Sequence, residues 1–278
     1  MKLIRNIFYA LPLPFRKFVR QIYFWPSDFF LKLSGKSKSE IPPNGKNFIG
    51  PGDFEKIGNE FFDYFKRYGQ IQPDSKILEL GCGMGRMALP FKSFLNNNGS
   101  FHGFDIATEG IEWCTNKIAP NDERFHFQKV DIYNKLYNPS GKINANEFVF
   151  PYPDNSFDFV FATSVFTHML PADLLQYVKE TYRVLKPSKK ALFTFFVMDE
   201  IAQNLVLQQQ SFLDFKYHEK NFFTISKKIP ESNVAFEKEW LNKMFKDNNF
   251  EVIDEPFGSW SGRKPYLSFQ DIIVLQKV

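Results

Sequence analysis

The chain has 278 residues, 44% hydrophobic and 24% charged, a balance that supports a sizeable core and excludes a disordered chain. Its net charge of +4 comes without a Lys/Arg block, so no nucleic-acid partner is expected. The two cysteines, Cys82 and Cys114, fall in predicted core elements and form neither a disulfide framework nor a metal-ligand spacing; no metal and a reducing, cytoplasmic setting are expected.

Residues 1–52 read as a basic, aromatic extension followed by a linker. The first part mixes Ile4, Ile7, Phe8, Phe15, Phe18, Val19 and Ile22 with Lys2, Arg5, Arg16, Lys17 and Arg20. No stretch of about 18 uncharged apolar residues occurs, which excludes a membrane-spanning helix here. An apolar run ending in a small-residue cleavage site is also missing, which disfavours a secretory signal. Two readings stand. The apolar side packs on the neighbouring domain, or it lies on an anionic membrane surface and makes the protein peripheral to a membrane. Residues 34–52, rich in Ser, Gly, Pro and Lys, read as linker.

The remainder, 53–278, reads as one domain with a lid-like insertion at about 198–235. Asp53 is placed to cap a helix carrying Phe54, Ile57, Phe61, Phe62 and Phe65 at helical spacing, with Gly69 as its stop. Strand and helix then alternate: strand 76–80, glycine turn, helix 87–95, strand 100–105, helix 108–118, strand 125–130, a polar insertion 132–156, strand 157–162, a helix opened by Pro171, and strand 191–197. Past Met198 the pattern loosens, with no clear strand until a helix over 236–245; strands 250–254 and 267–276 close the chain. Such alternation predicts an α/β protein with a mostly parallel sheet covered by helices on both faces.

The chemistry gathers in ILELGCGMGRMALPF. Gly81, Gly83 and Gly85 follow the first strand directly and let backbone approach a ligand closely, and the helix expected next presents unpaired N–H groups. Asp105, twenty residues beyond Gly85, ends the second strand, where a carboxylate can accept from both hydroxyls of a ribose. A dinucleotide fingerprint wants glycine at the sixth position of the motif; Arg86 stands there.

This segment resembles the first motif of the class I S-adenosylmethionine-dependent methyltransferases, with the likeness strongest from 76 to 197. The resemblance implies a Rossmann-like three-layer sandwich with a mostly parallel seven-stranded sheet whose last strand is antiparallel, and S-adenosyl-L-methionine as cofactor. It implies that Glu79 and the Gly81-Cys82-Gly83-Met84-Gly85 turn hold the amino-acid end of the cofactor, and that Asp105 holds the ribose. Ile106 would lie against the adenine, Asp131 would accept from its amino group, and Ile132 would donate a backbone N–H. Ala162 and Thr163 would border the methionine and the acceptor.

A sulfonium methyl is already activated, so alignment is the main task and a general base is needed chiefly for a hydroxyl acceptor. His168, in the loop after the fourth strand, is the candidate base; local packing is the alternative. Trp260 and Arg263, between the last two strands, are candidates to face the substrate, against the reading of a surface turn with a packed Trp. Phe212, Phe215, Tyr217, Phe222 and Phe223 would either close over an apolar or glycan acceptor or anchor the insertion to the core. The Asn/Asp-Pro-Pro-aromatic motif of enzymes that methylate base amino groups is replaced by Ala162-Thr163-Ser164-Val165, which lowers that reading. The expected function is methyl transfer to a small-molecule or saccharide hydroxyl. The reading from another class is a non-catalytic scaffold or membrane-surface binding protein that keeps the cofactor fold.

Overall fold

A computed structural model describes residues 13–35, 37–50, 52–135 and 137–278. Lys2, Ile4, Arg5, Ile7 and Phe8 of the N-terminal extension lie outside the described residues.

Seven strands form one sheet in the order β10-β11-β5-β4-β1-β2-β3: β1 Lys76–Leu80, β2 Ser100–Asp105, β3 Phe125–Lys129, β4 Phe157–Ala162, β5 Leu185–Phe195, β10 Phe250–Asp254 and β11 Asp271–Lys277. β1 pairs in parallel with β2 and β4, β4 with β5 and β2 with β3, whereas β11 runs antiparallel to both β5 and β10. This is the Rossmann-like arrangement, with the first strand central and the antiparallel strand near one edge.

Alternation along the strands feeds a core on each face. Leu78, Leu80, Val160 and Ala162 point to one side with Leu174 and Val178 of α5 (Pro171–Val184) and Phe245 of α7 (Lys238–Asp247). Ile77, Phe159 and Phe161 point to the other, beneath α2 (Phe54–Tyr64) and α3 (Phe91–Phe94). Much of the high Phe content is spent here. Phe65 packs 4.2 Å from Phe161 by ring centroids, and Phe91 packs 5.1 Å from Phe101. Asp53 caps α2 as expected, accepting from the Lys56 N–H at 2.8 Å.

Several elements depart from the sequence reading. The helix expected over 87–95 is reduced to the single turn of α3. Pro90 has no N–H to donate, and around it the ladder tightens to three-residue spacing, with Phe91 N–H donating to Ala88 O and Lys92 N–H to Leu89 O. The insertion after Met198 does contain strands: β7 Tyr217–His218, β8 Phe222–Thr224 and β9 Val234–Glu237 join β6 Val197–Met198 in a second sheet of order β6-β9-β8-β7. Strands of two to four residues are too short for period-two alternation to register. Phe236, expected to open a helix, lies in β9 opposite Val197 and Phe222, and α7 starts at Lys238. β5 begins at Leu185, earlier than expected, and β11 begins at Asp271 because 257–269 form a self-paired loop.

The N-terminal helix α1 (Leu13–Leu33) does not pack its apolar side on the domain. Its polar side is the one fastened: Asp28 accepts from the N–H groups of Asn44 and Gly45 and from the Asn44 amide, all within 3.1 Å. The segment read as a linker is itself packed. Trp113 donates to Glu40 O, Glu40 pairs with Lys92, and Asn47 is buried.

At the opposite edge from the glycine turn, His102 of β2 stacks on His126 of β3 with ring centroids 4.4 Å apart. Burial first, then His126 and Lys76, push the His102 pKa from 6.5 down to about 4. Between those values the unfolded chain binds more protons, so this contribution to stability is present above pH 6.5 and lost as pH falls through about 4. A His102→Gln variant is expected to lose less stability on acidification than the parent. The difference should approach about 1.4 kcal/mol per pH unit. Urea unfolding of both proteins at a series of pH values measures it, and parallel curves would remove His102 as an acid-sensitive site. Taking the difference between the proteins cancels other groups, such as Asp271, whose burial raises its pKa to about 6 and gives the opposite slope.

Candidate functional site

β1 delivers Glu79 to the carboxyl edge of the sheet, and the chain then turns through Gly81, Gly83 and Gly85, all at positive φ. The turn is bound to the end of β2. The N–H groups of Gly81 and Cys82 donate to Phe104 O at 2.9 and 3.0 Å, and the Gly83 N–H donates to Asp105 Oδ2 at 2.7 Å. Asp105 Oδ1 accepts from the Ala107 N–H, also at 2.7 Å. Each carboxylate oxygen thus holds one backbone donor and keeps a lone pair for a ligand hydroxyl.

Glu79 is almost wholly buried, and its Oε2 has no hydrogen-bond partner. Burial, reinforced by the negative charge of Asp105, pushes its pKa well above the ordinary value. A buried acceptor beside a second carboxylate is a place where a cation is favoured. Asp105 is also raised, by burial, against the lowering pull of backbone N–H groups, Ala107 and Gly83 foremost.

Neighbours that the sequence did not single out shape the turn. A Cβ on Gly110, in α4 (Thr108–Trp113), would lie 2.2 Å from Gly83 O, and a Cβ on Gly83 would lie 2.6 Å from a methyl of Ile49. A Cβ on Gly81 would lie equally close to a methyl of Val165. Arg86 is buried, donates to Gly50 O and lies over the Phe54 ring, so the residue that breaks the dinucleotide fingerprint grips the N-terminal segment. Helical periodicity carries no mark for Gly110; the only sequence clue is a glycine inside a helix, where it costs about 1 kcal/mol relative to Ala. Cys82, in the turn, and Cys114, just past α4, are buried free thiols, and burial pushes the Cys82 thiol up.

Ile106 is half-buried against the core on the α5 face, and Asp131 is half-buried just past β3. Asp131 O accepts from the Lys142 and Ile143 N–H groups, and buried Ile132 has its carbonyl held by the Asn138 amide. The 132–156 insertion therefore folds back onto this edge. Phe148 and Phe150 are buried with Tyr177, and Glu180 accepts the Phe150 N–H at 2.8 Å.

Ala162 ends β4 fully buried, Thr163 is half-buried, and Ser164 takes a positive φ of 59° while its N–H donates to Thr194 Oγ1. A non-glycine residue in that region marks a strained turn at the sheet edge. His168 follows, its Nδ1 3.0 Å from Glu231 O. A carbonyl only accepts, so the Nδ1 carries the proton and the lone pair of the neutral ring lies on Nε2. Burial lowers the His168 pKa, opposed by the backbone of Glu231 and Ser232.

Trp260 and Arg263 meet other partners. Trp260 is fully buried between Phe196 and Phe215, and its indole N–H donates to Asp271. Arg263 pairs with Asp199 and stacks 4.0 Å over Phe257. Both hold the insertion to the main sheet. Phe215 and Phe223 likewise lie in that small core with Met198 and Ala235, whereas Phe212 is exposed. Among the described residues no cluster of His, Cys, Asp or Glu is arranged to hold a metal ion.

A Rossmann-like sheet with a glycine turn after β1 and a carboxylate ending β2 defines an α/β protein built for a nucleoside ligand. Residues 78–193 match the family described as Methyltransferase domain, and the fold and the glycine turn make this part of the chain similar to the class I S-adenosylmethionine-dependent methyltransferases. Phosphoethanolamine N-methyltransferase 2 of Caenorhabditis elegans is 28% identical over 152 residues, 55% of this chain and 30% of that protein. The match thus spans less than a third of that relative. An uncharacterized protein of Haemophilus influenzae is 24% identical over 245 residues, 85% of this chain and 81% of its own. In fold, the chain is similar to the crystal structure of a SAM-dependent methyltransferase from Methanosarcina mazei, with a TM-score of 0.52 and 22% identity over 77% of this chain and 97% of that one.

Proposed function

We propose that this chain transfers the methyl group of S-adenosylmethionine to a hydroxyl of a small molecule or saccharide, with His168 as general base. The residues present fit the cofactor: Asp105 has acceptor capacity for the ribose, and the orphaned Oε2 of Glu79 suits the cationic amino-acid end. When bound, the cofactor supplies a methyl already activated on positive sulfur. The residues of the chain orient it: Gly81–Gly85 shape the cradle, and Ile106, Asp131 and Ile132 border the adenine side. Ala162 and Thr163 border the acceptor.

The observation that carries the hydroxyl reading is the 3.0 Å approach of His168 Nδ1 to Glu231 O. A carbonyl there supports a proton on Nδ1, which would leave Nε2 to accept a substrate proton. An amine acceptor, of the kind named in the C. elegans relative, carries its own lone pair and makes less demand on a base.

The test uses the purified chain with a methyl-labelled donor and extracts fractionated for acceptors. His168→Gln is expected to lower turnover by about a hundredfold or more while S-adenosylhomocysteine binds as before. Unchanged turnover would end the role of His168 and turn the reading toward an amine or carbon acceptor. Failure of the parent protein to bind S-adenosylhomocysteine would favour the non-catalytic scaffold.

A further inference from the structure

Six side chains of α1, Phe15, Phe18, Ile22, Trp25, Phe29 and Leu33, recur at three- and four-residue spacing and so share one helix face. All six are 46 to 68% exposed. The opposite side is the docked one. Asp28 holds Asn44 and Gly45, Arg20 donates to Asn44 O, and Gly45 comes so near that a Cβ would lie 3.1 Å from the Cα of Gln21. The helix is therefore oriented with its polar side inward and its apolar side outward, the reverse of a helix that serves a core.

Charge selects the occupant of that face. Residues 1–33 hold six Lys/Arg and one acidic residue, Asp28, which is engaged with the 44–45 turn; the rest of the chain holds 29 basic and 30 acidic residues. The positive character of the protein thus resides in the segment that bears the bare aromatic face. A second copy would bring the same excess of positive charge against itself. No helix of the described residues is long and apolar enough to cross a membrane, and aromatic side chains beside Lys and Arg suit the headgroup layer. We infer that α1 is a membrane-surface helix that lays its aromatic face into an anionic lipid bilayer.

The inference stands apart from the methyl-transfer reading, and its test separates the two. The full chain is sedimented with vesicles of phosphatidylcholine alone and with about 30% phosphatidylserine, in low and high salt. Binding is expected to be at least about tenfold tighter to the anionic vesicles, and to weaken with salt. The variant Ile22→Glu/Trp25→Glu is expected to lose about tenfold or more of that binding. Both side chains face solvent, so circular dichroism and S-adenosylhomocysteine affinity should match the parent. Equal or absent binding to the two vesicle types overturns the inference, as does a variant that binds like the parent. Self-association that the variant abolishes, with no lipid preference in the parent, would assign the face to a second copy instead. Should the variant fold poorly, the lipid and salt dependence of the parent decides alone. Loss of S-adenosylhomocysteine binding in the parent would count against the proposed function and leave the lipid result standing.

Discussion

An Asp105→Asn variant is expected to bind S-adenosylhomocysteine about a hundredfold more weakly than the parent protein, measured by calorimetric titration. Both carboxylate oxygens already accept a backbone N–H, from Gly83 and Ala107, and under the proposed function the remaining lone pairs would serve the two ribose hydroxyls. Hydrogen bonds to a charged group contribute about 1.5–3 kcal/mol each. The amide keeps the shape, removes the charge and sets an NH2 against one of the two backbone donors. Part of the loss will therefore come from a loosened turn, seen as a small fall in melting temperature. Affinity within about threefold of the parent would detach Asp105 from the ligand and leave it as a pin between β1 and β2.

The second large effect is expected from Gly110→Ala. The added Cβ would lie 2.2 Å from Gly83 O and 2.9 Å from its carbonyl carbon, and both neighbours are backbone. No rotamer change relieves such a contact, so α4 or the glycine turn must move. Overpacking of this kind costs about 1–3 kcal/mol and sometimes more. In a chain of this size that lowers the melting temperature by roughly 2–6 °C. Because the displaced atom belongs to the turn whose N–H is held by Asp105, ligand affinity should fall as well, by about tenfold. A variant as stable as the parent, with undiminished affinity, would show that α4 has room to retreat.

The alternation of strand and helix from 76 to 197 was legible because each apolar run of about five residues was followed by a turn signal, and these runs became β1 to β5 of the main sheet. Gly81, Gly83, Gly85 and Asp105 could be read as a nucleoside site because the turn and the carboxylate follow directly from where two strands end. Where the reading slipped, short elements or single residues were responsible. Pro90 broke a helix that the spacing of Met87, Phe91 and Leu95 had suggested, and the two- to four-residue strands of the second sheet carry too little pattern to be seen.

Residue order thus determined the glycine turn and the carboxylate beside it, since glycine freedom and a carboxylate at a strand end are local properties. Three matters were decided only by the assembled molecule. Gly110 is set against the carbonyl of Gly83 because α4 crosses the turn at one particular distance. The proton of His168 is assigned to Nδ1 because the insertion brings Glu231, 63 residues away, within 3.0 Å. The helix α1 turns its aromatic face outward because Asp28 binds the 44–45 turn. Amphipathic spacing names two faces of a helix, and a contact made elsewhere in the chain chooses which of them meets the solvent.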